Sequence, residues 1–500
     1  MDLDHQNNEG HIVMLPFMAH GHLNPFLALA KQILKTTTNN FKITIATTPL
    51  NIQYLKSSII ANQQQQNLLE LHLAELPFNC VQHDLPPNIE NTENLPLSDV
   101  FKFIIATTMA LENPFHSLIS KITEEEGHPP LCIISDIFFG WVTNVAKSFG
   151  SKSIIFFTGS AFGVLAYTSI LFHLPHRNTD SEEFWVPGFP QKFKFKRSHL
   201  HRQIRESDGN DAWSRFFVPQ LQLSLKSDGW IGNTVEEIEP LGLDLLRKYI
   251  QIPVWCVGPL LQPLAHKGKE SGIAIEECIE WLNVKDQSSV LYISFGSQNT
   301  ISASQMMALA EGLEQSERSF IWVIRPPFGF DINGEFNAHE WLPKGFEERI
   351  KNTQKGLLVH QWGPQMKILS HKSIAAFLSH CGWNSVLESL SYGVPIIGWP
   401  LAAEQAHNAK MLEEELGVGV ILTATVESVV SGEEVKNVIE MVLNQESVKG
   451  KEMKVKAKEI EVLMREAKTH DGEVVKGSSL KAIDDFGKAI LQNPKLHGKF

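Results

Sequence analysis

The sequence predicts an α/β protein of two domains, each a parallel sheet covered by helices. Three observations carry this reading. Short apolar, β-rich runs alternate with longer helical stretches along almost the whole chain, as a sheet with helices on both faces requires. The apolar runs are short and continuous, the pattern of strands buried on both faces. The alternation lapses once near the middle, so the 500 residues divide into two repeating halves.

In order, HIVMLPF (from His11) predicts the first strand and NPFLALAKQIL the helix after it. KITIATT (from Lys42), LCIISD (from Leu131) and KSIIFF predict further strands, with FFGWVTNVAKSFG a helix between the last two. WIGNT (from Trp230), the helical EEIEPLGLDLLRKYI and VWCVGPL (from Val254) close this half. Residues 259–272 mix Pro, Gly and charge without periodicity and predict an interdomain linker. The second half restarts with VLYISFG (from Val290) and a helix opened by the capping-box-like Ser302-Ala303-Ser304-Gln305. FIWVIR, GLLVH, AAFLSH, PIIGWP and VGVIL follow as strands. The charged stretch 433–468 reads as exposed helix, and SLKAIDDFGKAIL (from Ser479) as a last amphipathic helix. The expected organisation is therefore 1–258, a linker at 259–272, a second domain at 273–478, and a C-terminal helix at 479–500 packing back towards the first domain.

Composition removes several function classes. Lys and Arg number 44 against 56 for Asp and Glu, a formal charge of -12 that repels a phosphate backbone and excludes nucleic acid as the expected partner. Five scattered cysteines without a C-x-x-C pair indicate neither a disulfide framework nor a zinc knuckle, and fit a reducing compartment. No signal-peptide pattern opens the chain, so a cytoplasmic location is expected. The uncharged stretch from Ser153 to Phe172 has the length of a membrane span, but hydroxyls run through it and Thr158-Gly159-Ser160 divides it into strand and helix. The irregular region from His173 to Trp213 carries KFKFKRSHLHR, read as a solvated loop, with an anion or acceptor contact as the alternative.

No P-loop and no G-x-G-x-x-G follows any strand, which argues against a nicotinamide-dependent oxidoreductase and against the usual ATP folds. Phosphate has two other candidate cradles. Ser379-His380-Cys381-Gly382-Trp383 runs from a strand into the helical Asn384-Ser385-Val386-Leu387-Glu388, a helix start that offers N–H groups and positive dipole. Ser294-Phe295-Gly296-Ser297 ends another strand, where Gly296 lets the backbone approach a ligand.

The block from Trp362 to Gln405 encloses WGPQ, HCGWNS, Glu388, GWP and AEQ, and it resembles the signature box of the plant secondary-product UDP-glycosyltransferases. PFMAHGHLNP (from Pro16), VPGFP (from Val186), NTVEEIEP (from Asn233), CIEWLN (from Cys278) and YISFGS (from Tyr292) extend the resemblance over most of the chain. It implies the GT-B architecture, two Rossmann-like domains facing across a cleft, with the donor mostly on the C-terminal one and the acceptor mostly on the N-terminal one. On the matching positions Trp362 would stack on uracil. Gln365 and Glu388 would hold the ribose; His380, Asn384, Ser385 and Ser297 the diphosphate; Trp383, Glu404 and Gln405 the sugar. Gln405 as the last residue of the box resembles members that prefer glucose.

An acceptor hydroxyl needs a base as its bond to carbon forms. The family's Gly-His pair selects His22, leaving His20 as a loop residue, and the matching carboxylate is Asp136. Taken alone, Asp136 reads equally as a helix N-cap. The H-x-H pair has no third ligand in view, so no metal is expected, and no cofactor beyond the donor substrate UDP-glucose. The resemblance places the acceptor in the first domain, with Phe138, Phe139, Ser160 and Phe162 as wall residues suited to a flavonoid, another phenolic or a terpenoid, possibly already glycosylated. The expected activity is inverting transfer of glucose to such a hydroxyl by a monomer. A catalytically silent UDP-sugar-binding protein is the alternative.

Overall fold

A computed structural model of the chain describes residues 10–36, 41–60, 70–95, 97–261, 272–423, 425, 427–471 and 475–492. Most of the expected linker, 262–271, and the last eight residues lie outside the described residues. The chain forms two compact units: Met1–Ala161 with Gly209–Lys267 and Glu466–Phe500, and Phe162–Asp208 with Gly268–Arg465.

In the first unit seven parallel strands form one sheet: β1 (Gly10–Leu15), β2 (Phe41–Thr47), β3 (Leu71–Glu75), β4 (Cys132–Asp136), β5 (Lys152–Phe157), β6 (Gly229–Gly232) and β7 (Val254–Cys256), in the order β3-β2-β1-β4-β5-β6-β7. The predicted apolar runs are these strands, and β1, β4 and β5 are buried almost end to end because helices cover both faces. β3 is the exception. Its half-exposed LHLAE lies at the sheet edge and carries no apolar run for the sequence to announce. The helix Ser478–Leu491 buries Ile483, Phe486 and Ile490 in the core of this unit with Leu27, Ile43 and Trp255. Each such burial is worth about 1.5–3 kcal/mol.

The second unit holds six parallel strands, β8 (Val290–Ser294), β9 (Ser319–Ile324), β10 (Gly356–His360), β11 (Ile374–Ser379), β12 (Ile396–Gly398) and β13 (Gly419–Ile421), in the order β10-β9-β8-β11-β12-β13. Separate apolar cores include Leu291, Ile293 and Trp322 in one and Tyr292, Ile321 and Phe377 in the other, the alternation of a sheet packed on both faces. The helix Ala303–Ser316 opens with the expected capping box between Ser302 and Gln305. The basic run also resolves physically: Phe193 and Phe195 are buried while Lys192, Lys194 and Lys196 face solvent.

The apolar stretch from Ser153 to Phe172 is divided between β5 and the helix Ala161–His173. Among the described residues no helix is long and apolar enough to cross a membrane.

Candidate active site

In both sheets the strand order reverses between the first strand and its later neighbour, β1 beside β4 and β8 beside β11. Helices leave such a pair in opposite directions, opening a crevice beyond the carboxyl ends of the strands. Asp136 with His22 lies at the first of these points, and Ser297 with His380 at the second.

In the first unit β1 and β4 pair with Leu15 opposite Ser135, so Asp136 leaves the sheet beside the segment that starts the helix His20–Thr36. His22 Nδ1 donates to Asp136 Oδ2 at 2.6 Å. The other carboxylate oxygen accepts from the Phe138 N–H at 3.2 Å. The Asp136 side chain is only 1 % exposed against 22 % for His22. A buried carboxylate engaged on both oxygens fixes the proton on Nδ1, which leaves Nε2 as the basic nitrogen. Thr158 Oγ1 lies 3.3 Å from the same Nδ1. Phe17 meets the imidazole edge-on at 5.4 Å and Phe138 at 5.6 Å between ring centroids. His20, expected as a loop residue, is instead the first residue of the helix His20–Thr36; it pairs with Glu93 at 3.0 Å and stacks on Tyr54.

Of the four expected acceptor-wall residues, Phe138 lies against the His22 imidazole. Its ring is 5.5 Å from Phe217, and Trp213 and Phe101 continue the aromatic series from there. Phe139 is fully buried beside Phe17 and Trp141, and Ser160 is fully buried as well. Phe162 belongs to the other unit, packed among Phe189, Phe193 and Phe195.

In the second unit β8 and β11 pair with Ser294 opposite Ser379, which brings Gly296-Ser297 and His380 together. A Cβ on Gly296 would lie 2.7 Å from the His380 ring and one on Gly382 2.4 Å from its Nε2, so only glycines admit the imidazole here. Burial, helped by the charge of Arg325, pushes the His380 pKa down to about 4. It is therefore neutral at pH 7 and offers a donor without a charge. Its Nδ1 is buried without a partner among the described residues. The helix Trp383–Leu390 follows, with the Trp383 indole buried and Asn384 and Ser385 on its first turn.

Gln365 links Glu388 and Ser385. Its Nε2 donates to Glu388 Oε2 at 2.5 Å and to Ser385 Oγ at 3.1 Å, while its Oε1 accepts from the Tyr292 hydroxyl at 3.1 Å. Burial pushes the Glu388 carboxyl up to about 7, opposed in part by the Gln365 amide. Trp362 is half-buried at the end of β10. Gln405 Oε1 accepts from the Leu401 and Ala402 N–H groups, and Glu404 accepts from Asn408, which also donates to the Cys381 carbonyl. Three non-glycine residues here hold the left-handed conformation, each within two residues of a predicted ligand contact: Gln361 (φ 65°), Cys381 (φ 62°) and Ala403 (φ 52°). Such backbone costs about 1–3 kcal/mol per residue and persists where the surroundings enforce it.

Sequence reasoning missed Tyr292 and Arg325. The first enters the sequence reading only as the start of YISFGS and the second only as the end of the strand FIWVIR, and neither carries a local signal of its contacts. Among the described residues no cluster of three His, Cys, Asp or Glu could hold a metal ion.

Comparison with known proteins agrees along the chain. The family model described as UDP-glucoronosyl and UDP-glucosyl transferase matches residues 265–459, and a glycosyltransferase N-terminal domain model matches residues 8–183. UDP-glycosyltransferase 92A1 of Arabidopsis thaliana is 40% identical over 95% of this chain and 96% of its own. Crocetin glucosyltransferase 3 of Crocus sativus is 44% identical over 81% of this chain and 85% of its own. Among solved structures, UGT71G1 of Medicago truncatula complexed with UDP-glucose matches with a TM-score of 0.77 at 26% identity, covering 97% of this chain and 99% of that one.

Proposed function

The chain belongs to the UDP-glucoronosyl and UDP-glucosyl transferase family and is a glycosyltransferase of GT-B fold, and we propose that it transfers glucose from UDP-glucose to a hydroxyl of a lipophilic small molecule, forming a β-glucoside. The observation that carries the catalytic part is the 2.6 Å hydrogen bond between His22 Nδ1 and Asp136 Oδ2. The acceptor O–H proton passes to His22 Nε2 as the oxygen forms its bond to C1 of the sugar. The bond from C1 to the diphosphate oxygen breaks on the opposite face, so the α-linked donor gives a β-linked product. Asp136 stabilises the imidazolium. The charge released onto the leaving diphosphate is met by Ser297, Asn384 and the neutral His380. Trp362 takes the uracil, Gln365 and Glu388 the ribose, and Trp383, Glu404 and Gln405 the sugar.

The aromatic series from Phe138 through Phe217 and Trp213 to Phe101 supports an apolar acceptor, and the relative named a glucosyltransferase supports glucose as the sugar. We further propose a metal-independent monomer working in the cytosol. The dyad argues against the silent binder, which has no use for a histidine held in its basic tautomer. The test is UDP release with EDTA present, across UDP-glucose, UDP-galactose and UDP-xylose and a panel of phenolic and terpenoid acceptors. The expected result is acceptor-dependent turnover with UDP-glucose that His22→Ala abolishes. Donor binding without turnover by any acceptor would favour the silent binder.

A further inference from the structure

Arg325 follows directly on β9 after the apolar run FIWVI and is only 8 % exposed, although nothing in the mechanism above uses it. Its guanidinium donates through Nη1 to the Ser297 carbonyl at 2.6 Å and through Nη2 to the carbonyls of Gly296 and, at 2.9 Å, Asn299. Three carbonyls of one four-residue loop thus turn towards a single rigid fork. In a planar trans peptide the N–H points opposite to the carbonyl. Turning these carbonyls towards Arg325 therefore turns the N–H groups of Ser297, Gln298 and Thr300 away from it. Gly296, in the left-handed region (φ 78°), makes the turn, and N–H groups of a turn that share one face can form an anion-binding concavity. The loop also packs on His380 through Gly296. A guanidinium keeps its charge at every working pH, whereas His380 contributes none at neutrality.

We propose that Arg325 is a positioning residue of the diphosphate site, holding the Gly296–Asn299 backbone with its N–H groups towards the leaving group and supplying the fixed positive charge behind them. The inference rests on the assignment of Ser297 and His380 to the diphosphate. A residue that merely stabilised the domain would affect every ligand of the donor site alike. One that positions the diphosphate loop affects only ligands that carry the diphosphate.

The experiment compares UDP and uridine affinities by calorimetry in wild type, Arg325→Lys, Arg325→Gln and His380→Ala. Arg325→Lys keeps the charge and loses the fork, and is expected to weaken UDP about tenfold. Arg325→Gln keeps a donor and loses the charge, and is expected to weaken it about a hundredfold. Uridine affinity stays within about twofold in both. Hydrogen exchange at 296–300 quickens in Arg325→Lys while the rest of the unit is unchanged, a readout that does not depend on the Gln variant folding. Equal loss of UDP and uridine affinity would overturn the proposal, since the residue would then be structural. A loss of UDP affinity in His380→Ala but in neither Arg325 variant overturns it alone. UDP affinity unchanged in all three variants overturns the diphosphate assignment, and this inference with it.

Discussion

Gln365 donates to Glu388 at 2.5 Å with the orientation of its amide set by the Tyr292 hydroxyl, which occupies its oxygen. The carboxylate therefore meets one of its partners before any donor is bound, yet burial still holds its pKa up at about 7. On the ribose assignment proposed for Glu388, two adjacent hydroxyls donate best to an ionised carboxylate, so donor binding would draw on the deprotonated form. UDP-glucose affinity is expected to rise about tenfold between pH 6 and pH 8, as the ionised fraction of Glu388 grows from about one tenth to about nine tenths. UDP-glucose is the ligand to use, because its diphosphate is a diester that does not titrate in this range. The stability effect has the opposite sign. A carboxyl with a raised folded pKa contributes stability fully below the ordinary carboxylate range near 4.5 and loses it as pH rises through about 7. A pH profile of binding as steep in Glu388→Gln as in wild type would remove Glu388 as its source.

Asp136→Asn replaces the carboxylate with an isostere whose NH₂ can donate to Nδ1, moving the imidazole proton to Nε2 and removing the base. We expect kcat to fall about 10³–10⁴-fold with the fold intact. The residues assigned to the donor all belong to the other unit, so KM for UDP-glucose should stay within about twofold. A loss of less than tenfold in steady-state kcat would mean that Asp136 serves chiefly to hold the turn after β4 through the Phe138 N–H; the N-cap role the sequence also offered is not the one it takes, because the next helix opens at Val142 with Trp141 as its cap.

How much of this was legible follows from where the information lies. Strands covered on both faces, such as Cys132–Asp136 and Val290–Ser294, declare themselves as continuous apolar runs, so the fold class and most of the sheets could be read directly. The edge strand Leu71–Glu75 could not, because a half-exposed strand needs no such run. His22 and Asp136 stand 114 residues apart and meet only because β1 and β4 pair, a fact of topology that the family resemblance supplied and local pattern did not. Phe139 and Phe162 mark the limit on the other side. An aromatic residue near a predicted site carries no sign of whether its ring lines a pocket or fills a core, and both of these fill cores.

Gly382→Ala separates steric cost from backbone cost. Gly382 has φ −61°, which any residue adopts, so the penalty falls on the His380 ring 2.4 Å from the added Cβ. Overpacking of this kind costs about 1–3 kcal/mol and is relieved by displacing the imidazole. KM for UDP-glucose should rise at least about tenfold while thermal unfolding shifts by only a few degrees. The control is Gly150→Ala, a helix cap with open space around it (φ 78°), where strain without a clash should lower stability and leave KM unchanged. If Gly382→Ala leaves KM unchanged, the His380 position is not one the donor uses.

Phe138 and Phe139 are adjacent in sequence and divided in role. Phe138 is half-buried, with His22, Phe17 and Phe217 around its ring, so truncation removes apolar surface beside the base. Phe138→Ala is expected to raise KM for an apolar acceptor about tenfold or more, from some 2 kcal/mol of lost burial, and to leave KM for UDP-glucose as it was. Phe139 is fully buried, and Phe139→Ala opens a cavity costing about 3–5 kcal/mol. It should lower the unfolding midpoint sharply, with acceptor KM near wild type in whatever folds. Steady-state kinetics on both substrates beside denaturant unfolding of the two variants decides the matter. Loss of stability in both without a change in acceptor KM in either would make Phe138 a core residue too, and the acceptor wall would have to be sought elsewhere along Phe217, Trp213 and Phe101.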